Sequence, residues 1–259
     1  MIRRDDHGDW LIIAQIEHAR LAGELARVWG NDRVASLAAT PALLRGVEHH
    51  DDGWREWDDA PRLNPATGFP RSFMEMRMRD STAIWTRSIA HCAADPLAGI
   101  AVSRHFCHLA DQVQNSGRAD ADGRESIDRF LRQQSTVQTD LAAATRTTES
   151  AAGTSGDIEK CFDLGFRTVR FFDLVSVWLC CAERHQPEQL VAPLGETVQL
   201  IPKNPAHIVI EPYPLCVDSL RLETPARRLA GRHYASDAEL QAALRAAPTE
   251  VLAWTVGPT

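Results

Sequence analysis

The sequence lacks the features that mark several common protein classes. No CxxC pair occurs among its six cysteines, so we expect reduced, buried thiols in a cytoplasmic protein. No apolar run is long enough to span a membrane, and Trp10–Ala14 is too short for the core of a signal peptide. The P-loop, GxGxxG, GxSxG and HExxH motifs are also absent, so the chemistry has to be sought in other residues.

Positive charge is also scarce. The chain has 28 basic and 35 acidic residues, which gives a formal net charge of −7. Because no broad basic surface is available to neutralise phosphates, a protein that coats nucleic acid is disfavoured. We expect instead a small-molecule substrate, which can be a phosphorylated one, and no membrane partner. The sequence leaves open whether the protein forms a homodimer.

What the sequence does contain is a globular composition with many histidines. The chain has 259 residues, of which 44% are hydrophobic, and this is ample for a hydrophobic core. Its ten histidines and seven tryptophans are unusually many. Since histidine is the commonest side-chain metal ligand, the placement of the histidines is the first thing to determine.

The first two parts of the chain are a short hairpin and a long helical region. Met1–Asp5 and Trp10–Ala14 flank the polar turn Asp6–Asp9, which predicts a β-hairpin that must join other strands to be stable. Apolar periodicity and capping residues then predict six helices. These are Gln15–Gly30, Pro41–Asp52, Ser81–Ala94, Pro96–Asp111, Gly123–Thr145 and Ile158–His185, with loops over Asp58–Pro70 and Thr147–Gly156.

The third part begins near Pro193, where the apolar pattern changes from helical to alternating. Strands are predicted at Val198–Leu200, His207–Ile210, Leu220–Thr224 and Val251–Val256, and a helix capped by Ser236 is predicted over Ser236–Ala246. We therefore expect a helical domain over 1–192, with its hairpin over 1–14, and a β-rich element over 193–259 packed on it. The fold class expected is mainly α, with one small antiparallel α+β element that the hairpin joins.

Four residues stand out as candidates for chemistry. His18 lies in the first predicted helix, the pair His50-Asp51 ends the second, and Asp173 interrupts the apolar helix near the end of the helical region. A carboxylate in an apolar helix is costly unless it is paired or bound to a metal. One alternative is a structural ion pair of Asp173 with Arg167 or Arg170 on the same helix.

The segments around these residues resemble a known family. Gln15-x-x-His18, His50-Asp51-Asp52-Gly53-Trp54, Ser103-Arg104-His105 and Phe172-Asp173-Leu174-x-Ser176 resemble the DUF3891 family of uncharacterised bacterial proteins, over nearly the whole chain. The order of a helical histidine, a His-Asp pair and a distant aspartate also resembles the ligand order of the HD-domain metal-dependent phosphohydrolases. This second resemblance implies that the helices form an HD-like bundle.

The resemblance implies a role for each candidate. His18, His50, Asp51 and Asp173 would bind one or two divalent ions, with Mn, Fe, Co, Ni, Zn and Mg as candidates. Asp52 and His105 would be the catalytic residues, Asp52 as a base or orienting group beside the metal. The implied activity is hydrolysis of a phosphate ester of a small molecule or nucleotide, although the lysine that often follows the His-Asp pair in HD phosphohydrolases is absent here.

Two other functions stay open. With His105, or less favourably His91, as ligand to a second metal, the centre would suit a dinuclear oxygenase of the HD type. A site without catalytic activity would leave a protein that binds a ligand or a partner. Bound metal, oxygen uptake and phosphate release would distinguish the three.

Overall fold

The structure is a computed structural model that describes residues 1–37, 40–152, 157–181 and 186–258, with 148–152 described by their backbone alone. The helices are α1 (Gln15–Arg27), α2 (Pro41–His49), α3 (Arg55–Asp59), α4 (Met78–Cys92), α5 (Pro96–Asn115), α6 (Ala121–Ala152), α7 (Ile158–Cys181) and α8 (Asp237–Ala246). The strands are β1 (Ile2–Asp6), β2 (Asp9–Ile13), β3 (Glu188–Val191), β4 (Thr197–Asn204), β5 (His207–Glu211), β6 (Leu220–Leu229) and β7 (Thr249–Gly257). Short 3-10 helices occupy Asp52–Trp54 and Phe73–Glu75.

The seven strands of the described residues form one sheet, in the order β1-β2-β6-β7-β5-β4-β3. Neighbouring strands are antiparallel except β5 and β7, which are parallel. The predicted hairpin is confirmed: β1 and β2 meet at a turn in which His7 has φ 54° and Gly8 has φ 101°. Positive φ at both central residues is the turn geometry that matches the twist of the two strands, and glycine adopts it without strain.

The alternation of side chains along the hairpin supplies two hydrophobic cores. Ile2, Leu11 and Ile13 lie in the main core, which the sheet shares with the helices. Trp10 and Ile12 point to the opposite side and contribute to a smaller core with Leu240 of α8 and its neighbours. The sheet therefore carries apolar side chains on both faces, as expected for successive residues of a strand.

The prediction of a mainly α fold, an HD-like helical bundle with a small antiparallel β element, is wrong. The fold is α+β, and β strands from both ends of the chain build a single large sheet. The physical reason is that the main core is not confined to the helices: Trp29 and Phe172 lie in it together with Leu222 and Trp254 of the sheet. The resemblance to HD-domain proteins rested on four possible ligand positions. Four positions do not specify which elements pack against the helices that carry them.

The helix predictions are close in position and differ at the ends. Asp95 caps α5 by accepting a hydrogen bond from the Ala98 N–H at 3.4 Å, which confirms the predicted division before Pro96. The predicted loop Thr147–Gly156 is wrong up to residue 152, because α6 continues to that point; 153–156 lie outside the described residues. Thr147 is accommodated in the helix because its hydroxyl donates to the Ala143 carbonyl at 3.0 Å. The predicted end of α7 at residue 185 also lies outside the described residues.

In the described part of the chain, no helix has both the length and the apolar character needed to cross a membrane.

Candidate metal centre

Four helices bring the candidate residues together. His18 lies in α1, His50 and Asp51 directly follow α2, His105 lies in α5, and Asp173 lies in α7. Helices α5 and α7 approach closely because α7 has Gly165 at the crossing, where a Cβ would meet the Ala101 Cβ at 3.0 Å. The close crossing allows side chains of both helices to reach one point.

His18, His50 and Asp51 form a buried group that could hold a metal ion. One ligand atom from each of the three residues lies within 4.8 Å of the other two. His18 Nε2 is 2.8 Å from Asp51 Oδ2, and His50 Nε2 is 3.8 Å from the same oxygen. All three residues are buried, so their polar atoms need partners inside the protein.

The hydrogen bonds of the two histidines orient their free nitrogens toward the group. A carbonyl only accepts, so the Nδ1 of His50 donates to the Val47 carbonyl at 2.7 Å. Ser176 donates its only hydroxyl proton to the Asp173 carbonyl at 2.9 Å, so its oxygen accepts from His18 Nδ1 at 3.0 Å. Both imidazoles therefore present Nε2 lone pairs to the carboxylates, and an arrangement of lone pairs this close requires a proton or a metal cation between them.

Asp173 and His105 extend this group. The two carboxylate oxygens of Asp173 face different histidines: Oδ1 is 3.3 Å from His50 Nε2, and Oδ2 is 3.5 Å from His105 Nε2. Among the described residues the ion-pair partners of Asp173 are these imidazoles and His18, so it does not form the alternative pair with Arg167 or Arg170. Its side chain is 14% exposed and those of the other four are 6% or less, so Asp173 is the member of the group nearest to solvent.

The electrostatics of the group indicate a shortage of positive charge. Burial lowers the pKa of His50, but the charges of Asp51 and Asp173 exceed this effect and raise it to about 9. Burial raises the pKa of Asp173, yet the imidazoles of His50 and His105 hold it well below its usual range. Burial lowers the pKa of His105 to about 4. Asp173 therefore stays charged, and the raised pKa of His50 favours a proton on this imidazole when no metal is bound.

Residues next to these positions face elsewhere. Asp52 accepts from Arg55 at 2.9 Å and contacts His49 Nδ1 at 3.0 Å, so its carboxylate is engaged at the surface and not with the buried histidines. His49 is 44% exposed, as expected for the neighbour of an inward-facing His50, and His91 is exposed on α4. Sequence reasoning gave no role to Ser176, which orients His18. A signal for this role was present, because Ser176 is three residues after Asp173 and so lies on the same helix face.

The role of the Ser176 hydroxyl in orienting His18 can be tested by removing this hydroxyl. We expect Ser176→Ala to weaken Zn²⁺ binding by about ten- to a hundredfold, because His18 loses the acceptor that fixes its Nε2 toward Asp51. The matched control is Ser126→Ala, since Ser126 also lies in a helix and donates to a backbone carbonyl, that of Asp122 at 2.9 Å. Calorimetric titration of both variants measures the difference, and equal affinities would show that Ser176 has no positioning role.

Comparison with known proteins assigns the chain to a family. The family described as "Protein of unknown function (DUF3891)" matches residues 1–231, a span that includes all five residues of the group. Searches of curated proteins and of solved structures gave no match. Because the matched span covers far more than half of the chain, the protein is a member of the DUF3891 family.

Proposed function

We propose that this protein is a divalent-metal-dependent hydrolase that acts on a phosphate ester of a small molecule or nucleotide. The observation that supports the proposal is the orientation of the buried group, in which the Nε2 lone pairs of His18 and His50 face the carboxylates of Asp51 and Asp173. Within the described residues, His50 Nε2 is buried and has no hydrogen-bond partner, although it is close to two carboxylates. A metal ion is the partner that would satisfy all of these atoms.

The donor set suits a transition metal. Imidazole nitrogens together with carboxylate oxygens favour Mn, Fe, Co, Ni or Zn, while an all-oxygen shell would favour Mg or Ca. His18, His50, Asp51 and Asp173 would hold the ion. An ion held there would lower the pKa of a water molecule and offset negative charge on a phosphoryl group.

The residues of the buried group would have different roles around that ion. Asp173 is the most exposed member, so a substrate would approach from its side of the group. Burial lowers the pKa of His105 to about 4, so near neutral pH its imidazole is uncharged and could bind a metal or accept a proton from a reacting group. Burial of the other three residues keeps the ligand atoms fixed and limits the water around them.

The dinuclear oxygenase is the second candidate, and one observation favours it. Because the two oxygens of Asp173 face His50 and His105 separately, this carboxylate has the orientation of a bridge between two metal ions. A second ion would need His105 as a ligand. The number and identity of the bound metals therefore distinguish the two functions.

The test is elemental analysis of the protein, purified without chelator, beside Asp51→Ala. We expect bound metal in the wild type, little in the variant, and phosphate release from a panel of phosphate esters that a chelator abolishes. About two irons per chain with oxygen uptake would favour the oxygenase. Metal in neither protein would overturn both metal-dependent functions and leave a ligand-binding or partner-binding protein.

A further inference from the structure

A second region of the molecule, separate from the buried group, is built from arginines. A cleft with a volume of about 1,040 Å³ lies between the segment 62–80, the connection from α5 to α6, and the start of α8. Five arginines line it: Arg62, Arg71, Arg77 and Arg79 from the segment 62–80, and Arg118 from the connection between α5 and α6. The cleft shares no lining residue with the candidate metal centre.

These arginines are not neutralised by the protein. Across the described residues, none of the five has a carboxylate oxygen within 4.0 Å, whereas Arg104 pairs with both Glu159 and Asp163, and Arg228 pairs with three acidic residues. Arg62, Arg77 and Arg118 are exposed at the surface. Arg118 donates its Nε–H to Ser116 Oγ at 2.9 Å and Arg62 lies over the Trp57 ring, but neither contact neutralises a charge. A guanidinium without an acidic partner keeps N–H donors available to a phosphate or carboxylate.

The cleft also collects the positive ends of helices. α4, α6 and α8 all begin at its walls, at Met78, Ala121 and Asp237. The first turn of each helix carries partial positive charge and N–H groups that are not used within the helix. The partial charges at these helix starts add to the positive charge of the arginines. On their own they would not indicate a binding site.

Four aspartates lie in the same lining, and two of them are occupied by the backbone. Asp120 accepts from the Gly123 N–H and Asp237 accepts from the Leu63 N–H, both at 2.8 Å. With Asp80 and Asp122, the lining has five positive and four negative side chains, against a net charge of −7 for the chain. Asp120 and Asp237 serve a helix start and a loop, and none of the four aspartates pairs with an arginine of the cleft within the described residues.

We propose that this cleft binds a small polyanion that carries several phosphate groups. The volume of the cleft is at the upper end for small-molecule sites, and arginines on several walls can contact more charges than one phosphate has. The overall charge of −7 repels a long polyanion such as a nucleic acid, so the ligand expected is a small one. This inference does not depend on the proposed hydrolase activity.

The test is calorimetric titration of tripolyphosphate into the full chain after chelator treatment, which removes metal-dependent binding from the measurement. We expect one site per chain whose affinity falls as salt is added. Arg77→Ala and Arg118→Ala should each weaken binding about tenfold, since each removes a charge-assisted hydrogen bond. The control is Arg132→Ala, because Arg132 is exposed on α6, has no ion-pair partner among the described residues and lies outside the cleft.

Three results would overturn the proposal. The first is the absence of tripolyphosphate binding by the wild type. The second is equal weakening by Arg132→Ala and the two cleft variants, which would indicate attraction by general charge alone. The third is tighter binding of single-stranded DNA than of tripolyphosphate at matched charge, which would indicate a nucleic-acid surface.

Discussion

The Asp173→Asn variant is expected to bind Zn²⁺ or Mn²⁺ at least about a hundredfold more weakly than the wild type, more than the loss of an orienting residue costs. Asparagine has nearly the same size and shape, so the helix and its packing are retained. The negative charge that faces both His50 and His105 is removed, and an amide N–H is brought toward their lone pairs. Metal titration with a competing chromophoric chelator measures the affinity.

The control for this experiment lies on the same helix. Asp163→Asn removes the same charge from α7, but Asp163 is 65% exposed and pairs with Arg104 at the surface. We expect its metal affinity to equal that of the wild type. If Asp173→Asn and Asp163→Asn bind metal equally well, Asp173 is not a ligand, and the reading of the group as a four-ligand centre is incorrect.

A second large effect is expected at a glycine beside the candidate metal ligands. Gly53 lies in the 3-10 helix that follows Asp51, and its N–H donates to Ser88 Oγ of α4 at 3.0 Å. A Cβ at this position would meet the backbone of α4, at 2.6 Å from the Ser88 nitrogen and closer still to the Ile84 carbonyl oxygen. Backbone cannot move aside as a side chain can, so the segment with His50 and Asp51 would have to shift.

We therefore expect Gly53→Ala to lower the free energy of unfolding by about 3 kcal/mol, at the upper end for overpacking, and to weaken metal binding. Urea denaturation gives the first quantity and calorimetric titration the second. Gly46→Ala is the matched control, because its Cβ would meet ordinary contacts from 3.5 Å in the interior of α2. Alanine there should be neutral or stabilising. A Gly53→Ala protein as stable as the wild type would contradict the tight packing of this segment on α4.

Local patterns in the sequence identified the elements better than their arrangement. The turn at His7-Gly8, the cap at Asp95 and the helix after Ser236 were predictable because each depends on neighbours within a few residues. The size of the sheet was not, because strand alternation predicts a strand without naming its partner. The parallel pairing of β5 with β7 depends on contacts between residues 48 apart in the chain, such as His207 and Thr255.

The candidate site shows the same division. Asp173 was recognisable because a carboxylate within an apolar helix needs a partner, whereas His18, His50 and Asp51 were suggested by the resemblance to a known order of ligands. The sequence did not predict that the Asp52 carboxylate points away from the buried histidines. At the end of a short helix, a shift of one residue changes the side of the chain that a carboxylate faces. The arginine cleft was beyond prediction as a whole, since Arg71 and Arg118 meet only through the folded connections between helices.

The place of β7 in the sheet has a consequence for the order in which the chain can fold during synthesis. In the described sheet, β7 is the strand that joins β1, β2 and β6 to the group of β5, β4 and β3. Every other strand precedes β7 in the chain, so until Thr249–Gly257 leaves the ribosome there are two separate ribbons with open edges on β6 and β5. Such edges are sites where other chains can pair. The emergence of one strand therefore closes both edges and ends that exposure.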